Sequence, residues 1–166
     1  MRPTKTLWFV DHSIARTLLK WILILLVAAV VYVANKQLQS YWGEQARQKT
    51  GLANIQLVTA IKLAQQEHKL VLAEMSAVWC PTCRKLDQKI FSNTAVKQQI
   101  MQNYIFARID YDSVQAKNFM EKYQVRGFPT VIVLNSFAEQ VAQIPLTFNS
   151  AEYAAMLKKV SNTALH

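Results

Sequence analysis

The chain has two cysteines, and both fall in one short stretch, Trp79-Cys80-Pro81-Thr82-Cys83. At the start of a helix, residues i and i+3 lie on one face, close enough to close a small disulfide ring. A helix N-terminus also presents unpaired N–H groups and a partial positive charge, which stabilise a thiolate, the reactive form of cysteine. Cys80, nearer the helix start, is then the expected attacking thiolate. Cys83, one turn further in, is expected to resolve the resulting mixed disulfide. Arg84 and Lys85 add positive charge nearby. Other uses of a cysteine pair fit poorly. A zinc site would need a second pair, the histidines (His12, His68, His166) show no ligand spacing, and Arg84 follows Cys83, so the haem-attachment pattern fails. No metal and no bound cofactor are expected. The working group would be the Cys80–Cys83 disulfide itself.

The pair needs a strand and a helix to hold it. Leu70–Met75 is a short apolar run suited to a buried strand, and Pro81–Phe91 reads as a helix with its proline in the first turn, where a missing N–H costs little. Before them, Leu57, Ile61 and Ala64 give Asn54–His68 an amphipathic helical spacing. After them, Asn93 caps a predicted helix Thr94–Asn103, Tyr104–Ile109 reads as a strand, and Val114–Tyr123 as a helix. Thr130–Leu134 is strongly β-branched, and Glu139–Leu146 suits an edge strand limited by Pro145. Asn149-Ser-Ala-Glu152 resembles a capping box that opens a last helix, Ala151–Val160. This alternation predicts an α/β domain with a mixed sheet covered on both faces.

The strand Leu70–Met75, the WCPTC motif and the later Arg126-Gly127-Phe128-Pro129-Thr130 together resemble the thioredoxin superfamily over most of Leu70–Leu134. The resemblance implies a thioredoxin fold, a mixed sheet flanked by helices. It implies a cis proline at Pro129 opposite the active-site disulfide, with extended substrate polypeptide bound along the backbone at Phe128 and Trp79 shielding the attacking sulfur. Glu74, six residues before Cys80, stands where many thioredoxins have a buried aspartate that moves protons to and from the second cysteine. Here the carboxyl is one methylene longer. An unpaired buried carboxylate is costly, so Glu74 should be protonated or find a partner, and the alternative to the proton-moving role is that it pairs with Arg108 on the adjacent predicted strand. WCPTC also looks like membrane-tethered reducing proteins of cytochrome c maturation. The stretch Arg84–Asn93, with Val96 and Asp110-Tyr-Asp112, looks more like the C-terminal domain of periplasmic thiol:disulfide interchange reductases. The Pro-Thr dipeptide lacks the histidine of strongly oxidising family members, which favours a reductant.

Composition supplies the address. Of the 166 residues 52% are apolar, and the excess sits in Leu18–Ala34, interrupted only by Lys20. As a helix this segment reaches about 25 Å, within the range of a membrane span. Lys20 can snorkel, while Trp21 at one end and Tyr32, Tyr41 and Trp42 at the other suit an interfacial belt. A cleaved signal peptide is one alternative, with Val27-Ala28-Ala29 as its formal cleavage site, and a buried helix of a soluble domain is a weaker third. Basic residues flank both ends (Arg2, Lys5, Arg16, Lys20; then Lys36, Arg47, Lys49), a slight bias that favours a short internal tail and an exported domain. The expected organisation is a tail 1–17, an anchor 18–34, a stalk 35–50 and a thioredoxin-like domain 51–166, on a bacterial inner membrane and facing the periplasm. Three glycines exclude the glycine-rich nucleotide loops. The net charge of +9 shows no basic stripe, so nucleic acid is not an expected partner. Expected partners are protein disulfides or dithiols and an upstream thiol donor. The rival functions are a disulfide oxidase or isomerase of the same fold, and a non-catalytic thioredoxin-like binding module.

Overall fold

Every residue of β1 (Leu70–Ser76) is buried, as a near-continuous apolar run requires of a central strand. In the computed structural model, which describes residues 12–164, β1 pairs in parallel with β2 (Tyr104–Asp110) and antiparallel with β3 (Thr130–Leu134). β3 pairs antiparallel with β4 (Gln140–Ile144), giving a mixed sheet of order β2-β1-β3-β4. The parallel β1–β2 pair needs a crossover. It is made by α3 (Pro81–Leu86), a π-helical turn (Asp87–Phe91) and α4 (Thr94–Asn103). α2 (Leu57–Glu67) precedes β1, α5 (Ala116–Lys122) connects β2 to β3, and α6 (Ser150–Ala164) closes the chain.

Strand alternation divides the core. Leu70 and Leu72 face a cluster with Leu86, Ile90, Phe91, Ile100 and Leu157. Val71, Ala73 and Met75 face Ala60, Ala64 and Phe119 on the other side of the sheet. Glu74 and Ser76 share the parity of Leu70 and Leu72, so two polar side chains are carried towards the side of the sheet that α3, α4 and α6 cover.

Several elements follow local signals closely. α4 begins where Asn93 accepts hydrogen bonds from the Ala95 and Val96 N–H groups, and β4 stops at Ile144, one residue before Pro145. Others depart from expectation. The helix expected over Pro81–Phe91 changes to a π-turn at Asp87, and the wider turn puts Asp87, Ile90 and Phe91 all inside. At α6 Asn149 accepts from the Ala151 and Glu152 N–H groups, but the return half of the capping box runs through a third residue. The Thr147 hydroxyl donates to the Glu152 carboxylate and accepts from the Asn149 N–H.

The N-terminal helix α1 runs His12–Thr50, and the chain divides into two compact units after Leu38. The first unit holds the apolar part of α1. Its large side chains from Leu18 to Val33 are exposed, and its mean hydropathy of 2.4 over the most apolar window makes it a candidate transmembrane span. Arg2 and Lys5 lie outside the described residues, as does His166. The second unit begins at Gln39, whereas the expected domain begins at Gly51. The reason is visible in residues 39–50. Ala46 and Thr50 are buried, and Gly43 approaches Val78 so closely that an added Cβ would collide with the Val78 carbonyl. Trp42, expected in an interfacial belt, has its ring against the Arg84 guanidinium. Gly51 ends α1 in the left-handed region at φ +68°, a conformation glycine adopts without the steric cost other residues meet.

Candidate active site

Cys80 is the N-cap of α3, and its sulfur accepts a hydrogen bond from the Cys83 N–H at 3.1 Å. Pro81 occupies the first turn, where it wastes no donor. The Cys80 N–H donates to the Ala77 carbonyl and its own carbonyl accepts from the Arg84 N–H, both at 3.0 Å, so the turn is pinned on both sides. Both cysteines are free thiols, with 6% of Cys80 and 1% of Cys83 exposed. Burial pushes the Cys83 thiol up to about 12, with the neighbouring Cys80 adding to the shift; the Ala77 backbone and the Ser76 hydroxyl oppose it. The two sulfurs are therefore unlike: one holds its proton inside the domain, the other sits at the helix start facing a donor.

Aromatic rings frame Cys80. Trp79 meets Tyr111 and Phe128 edge-on, at 6.4 and 5.4 Å between ring centroids, and Tyr111 lies 4.9 Å from Phe128. The Trp79 indole N–H donates to Asp112 at 2.8 Å, which fixes the ring orientation. Phe128 and Trp79 both pack on the small cluster of Ala77, Cys80 and Cys83. The Phe128–Pro129 peptide bond is cis, directly ahead of Thr130 at the start of β3.

The domain also holds a buried charge cluster. Register places Glu74 opposite Arg108, and Arg108 Nε donates to the Glu74 carboxylate at 2.6 Å. The other end of the same guanidinium donates to Asp87 at 2.5 Å. Glu74 is completely buried, Asp87 and Arg108 nearly so. Burial and the Glu74 charge push Asp87 up to about 7, against the pull of Arg108 and Arg47. Among the described residues the second Glu74 oxygen and the Tyr153 hydroxyl have no hydrogen-bond partner, and Tyr153 is held well above its ordinary range by burial and by the Glu74 charge. Of the two fates expected for Glu74, the structure shows the partnered one.

A family model described as a thioredoxin-like domain matches residues 57–161. The chain belongs to the thioredoxin-like domain family. Among curated proteins it is similar to the thiol:disulfide interchange protein DsbD of Photorhabdus laumondii, 27% identical over 126 residues, which is 70% of this chain and 22% of that protein. It is also similar to DsbD of Haemophilus influenzae, 31% identical over 72 residues, 42% of this chain and 12% of the relative. The chain thus spans about a fifth or less of the curated relatives it matches. Among solved structures, a DsbH oxidoreductase superimposes with a TM-score of 0.59 at 18% identity, over 67% of this chain and 85% of that one. The oxidised DsbD C-terminal domain of Neisseria meningitidis gives 0.54 at 18% identity, over 64% of this chain and 98% of that one. These two likenesses concern the fold.

Within the thioredoxin-like domain, the structure brings Cys80, Cys83, Trp79 and Phe128 together, and Pro129 follows Phe128 through the cis peptide bond. Glu74 lies in the charge cluster, bonded to Arg108. Sequence reasoning missed Asp87, although it follows Cys83 by one helical turn. It also missed Ser76, whose parity with Glu74 on β1 was the available signal, and the Tyr111–Asp112 support of Trp79, which had no local signal.

Proposed function

We propose that the protein is a thiol–disulfide oxidoreductase that reduces disulfides of exported proteins. The observation that supports this best is the pairing of a helix-capping Cys80 sulfur with the Cys83 N–H, over a buried, protonated Cys83. In the forward reaction the Cys80 thiolate attacks one sulfur of a substrate disulfide. A mixed disulfide forms and one substrate thiolate leaves. Cys83 then gives up its proton and attacks Cys80, the Cys80–Cys83 disulfide forms, and the second substrate thiolate is released. Two electrons pass to the substrate, and an upstream thiol donor must return them.

Trp79, Phe128 and Pro129 form the substrate-facing rim in this reading. Glu74 takes up and returns the Cys83 proton, with Arg108 holding its carboxylate. Residues 18–34 anchor the domain in a bacterial inner membrane, with the domain in the periplasm. The reducing direction draws support from the Pro-Thr dipeptide between the cysteines, and the similarity to DsbD supports the reaction class.

Replacing Cys83 with Ser tests the mechanism. The second step is then blocked, and substrate proteins should accumulate as disulfides to Cys80, visible as bands lost on reduction. If none accumulate, Cys80 is not the attacker. Direction is tested separately by equilibrating the wild-type pair with glutathione buffers: a potential at the strongly oxidising end of the family would make the protein an oxidase.

A further inference from the structure

The last turns of α1 meet the cysteine turn at both of its ends, and this lies wholly within the second compact unit. On one side Arg84, the residue after Cys83, donates to the Gln39 carboxamide at 2.7 Å. The Arg84 guanidinium also lies over the Trp42 ring, 5.3 Å from its centroid. On the other side Gly43 backs onto the carbonyl of Val78, two residues before Cys80, with no room for a Cβ against that backbone atom. One turn later Arg47 bridges to Asp110 at 2.8 Å, at the end of β2 beside Tyr111 and Asp112, which hold Trp79. Positions 39, 42, 43 and 47 share one helix face by their spacing of three and four. Glycine is otherwise a poor residue for a helix interior. Its presence at 43 is accounted for by this approach to Val78.

We propose that Gln39, Trp42 and Gly43 are positioning residues of the redox site, holding the Val78 and Arg84 ends of the cysteine turn so that the Cys83 N–H stays directed at the Cys80 sulfur. This rests on the thiol–disulfide reading above. None of the three touches a sulfur. They act through Val78 and Arg84, whose backbones flank the turn. An N–H donated to sulfur favours the thiol and thiolate forms, which accept it well, over the disulfide. Holding that bond therefore biases the pair towards the dithiol.

The test uses the full-length chain in detergent, equilibrated with glutathione buffers of graded ratio, and reads the fraction of Cys80–Cys83 disulfide by alkylation. Gly43→Ala, and separately a Gln39→Ala/Trp42→Ala double variant that adds no bulk, should each shift the equilibrium towards the disulfide by about two- to tenfold, the range one hydrogen bond spans. Should Gly43→Ala not fold, the double variant carries the test alone. A contact that only supports the fold would lower the melting temperature and leave this equilibrium where it was. A folded variant that keeps the wild-type equilibrium, or shifts towards the dithiol, overturns the proposal. If the wild-type chain forms no reversible Cys80–Cys83 disulfide at all, it is the oxidoreductase reading that fails, so the two failures are distinguishable.

Discussion

Arg108 holds two buried carboxylates at once, Glu74 at 2.6 Å and Asp87 at 2.5 Å, and this arrangement makes the site's stability depend on pH. Asp87 has an ordinary value near 3.8 and is raised to about 7 in the folded protein, by burial first and by Glu74 second. Between those values the native state keeps a proton that the unfolded chain releases. The group's contribution to stability is therefore fully present below about pH 4 and is lost as pH rises through about 7, at up to about 1.4 kcal/mol per pH unit. Asp87→Asn should flatten that stretch of a plot of melting temperature against pH; an unchanged slope would mean that Asp87 is ionised throughout. Removing the cation is the more damaging change. Arg108→Met leaves two carboxylates buried without a partner and should cost about 3–5 kcal/mol at pH 8 in urea unfolding. The loss should be smaller at pH 5, where Asp87 holds a proton, and Glu74→Gln in the same chain should restore part of it. A cost independent of pH would assign the role of Arg108 to packing.

Helix ends are the sensitive points among the elements. The start of α4 depends on one carboxamide, since Asn93 accepts from two N–H groups, and Asn93→Ala should cost about 1 kcal/mol in chemical denaturation. The start of α6 depends on two side chains. Because Thr147 links the Asn149 N–H to the Glu152 carboxylate, Thr147→Val should also destabilise, by about 0.5–1.5 kcal/mol. A capping box closed directly by Glu152 would leave that variant unaffected. The π-turn after α3 decides the composition of the buried charge cluster. A regular helix through Asp87 would turn the following residues to a different face, whereas the π-turn keeps Asp87 beside Arg108 and still buries Ile90 and Phe91.

At the scale of the whole molecule, the boundary between units falls inside a continuous helix, after Leu38. A chain beginning at Gln39 should keep the melting temperature of the second unit. One beginning at Gly51 should melt several degrees lower, because it loses the buried Ala46 and Thr50, the Arg47–Asp110 ion pair and the contacts to Arg84. Equal melting temperatures for the two truncations would make residues 39–50 a mere connector. The net charge of +9 does not gather at the site described. The cations with a structural part there, Arg47, Arg84 and Arg108, are each engaged by a side chain of the second unit.

Local signals determined much of this protein. The spacing of Cys80 and Cys83 after a buried strand, the alternation at Thr130–Leu134, the Asn93 and Asn149 caps and the apolar run Leu18–Ala34 all act between near neighbours in the chain. They are legible without knowing what else is close. The order of elements, and with it the place of the cysteine turn, follows from them. The pairing of Glu74 with Arg108 was readable only as one of two options, because it depends on strand register, and a slip of one residue would turn each side chain to the opposite face. The rest was decided by tertiary structure. Asp87 needed the π-turn, Trp79 needed Tyr111 and Asp112 from a distant loop, and the role of residues 39–50 needed the docked helix. In each case the energy lies in contacts between groups far apart in sequence, whose distances exist only once the sheet is assembled.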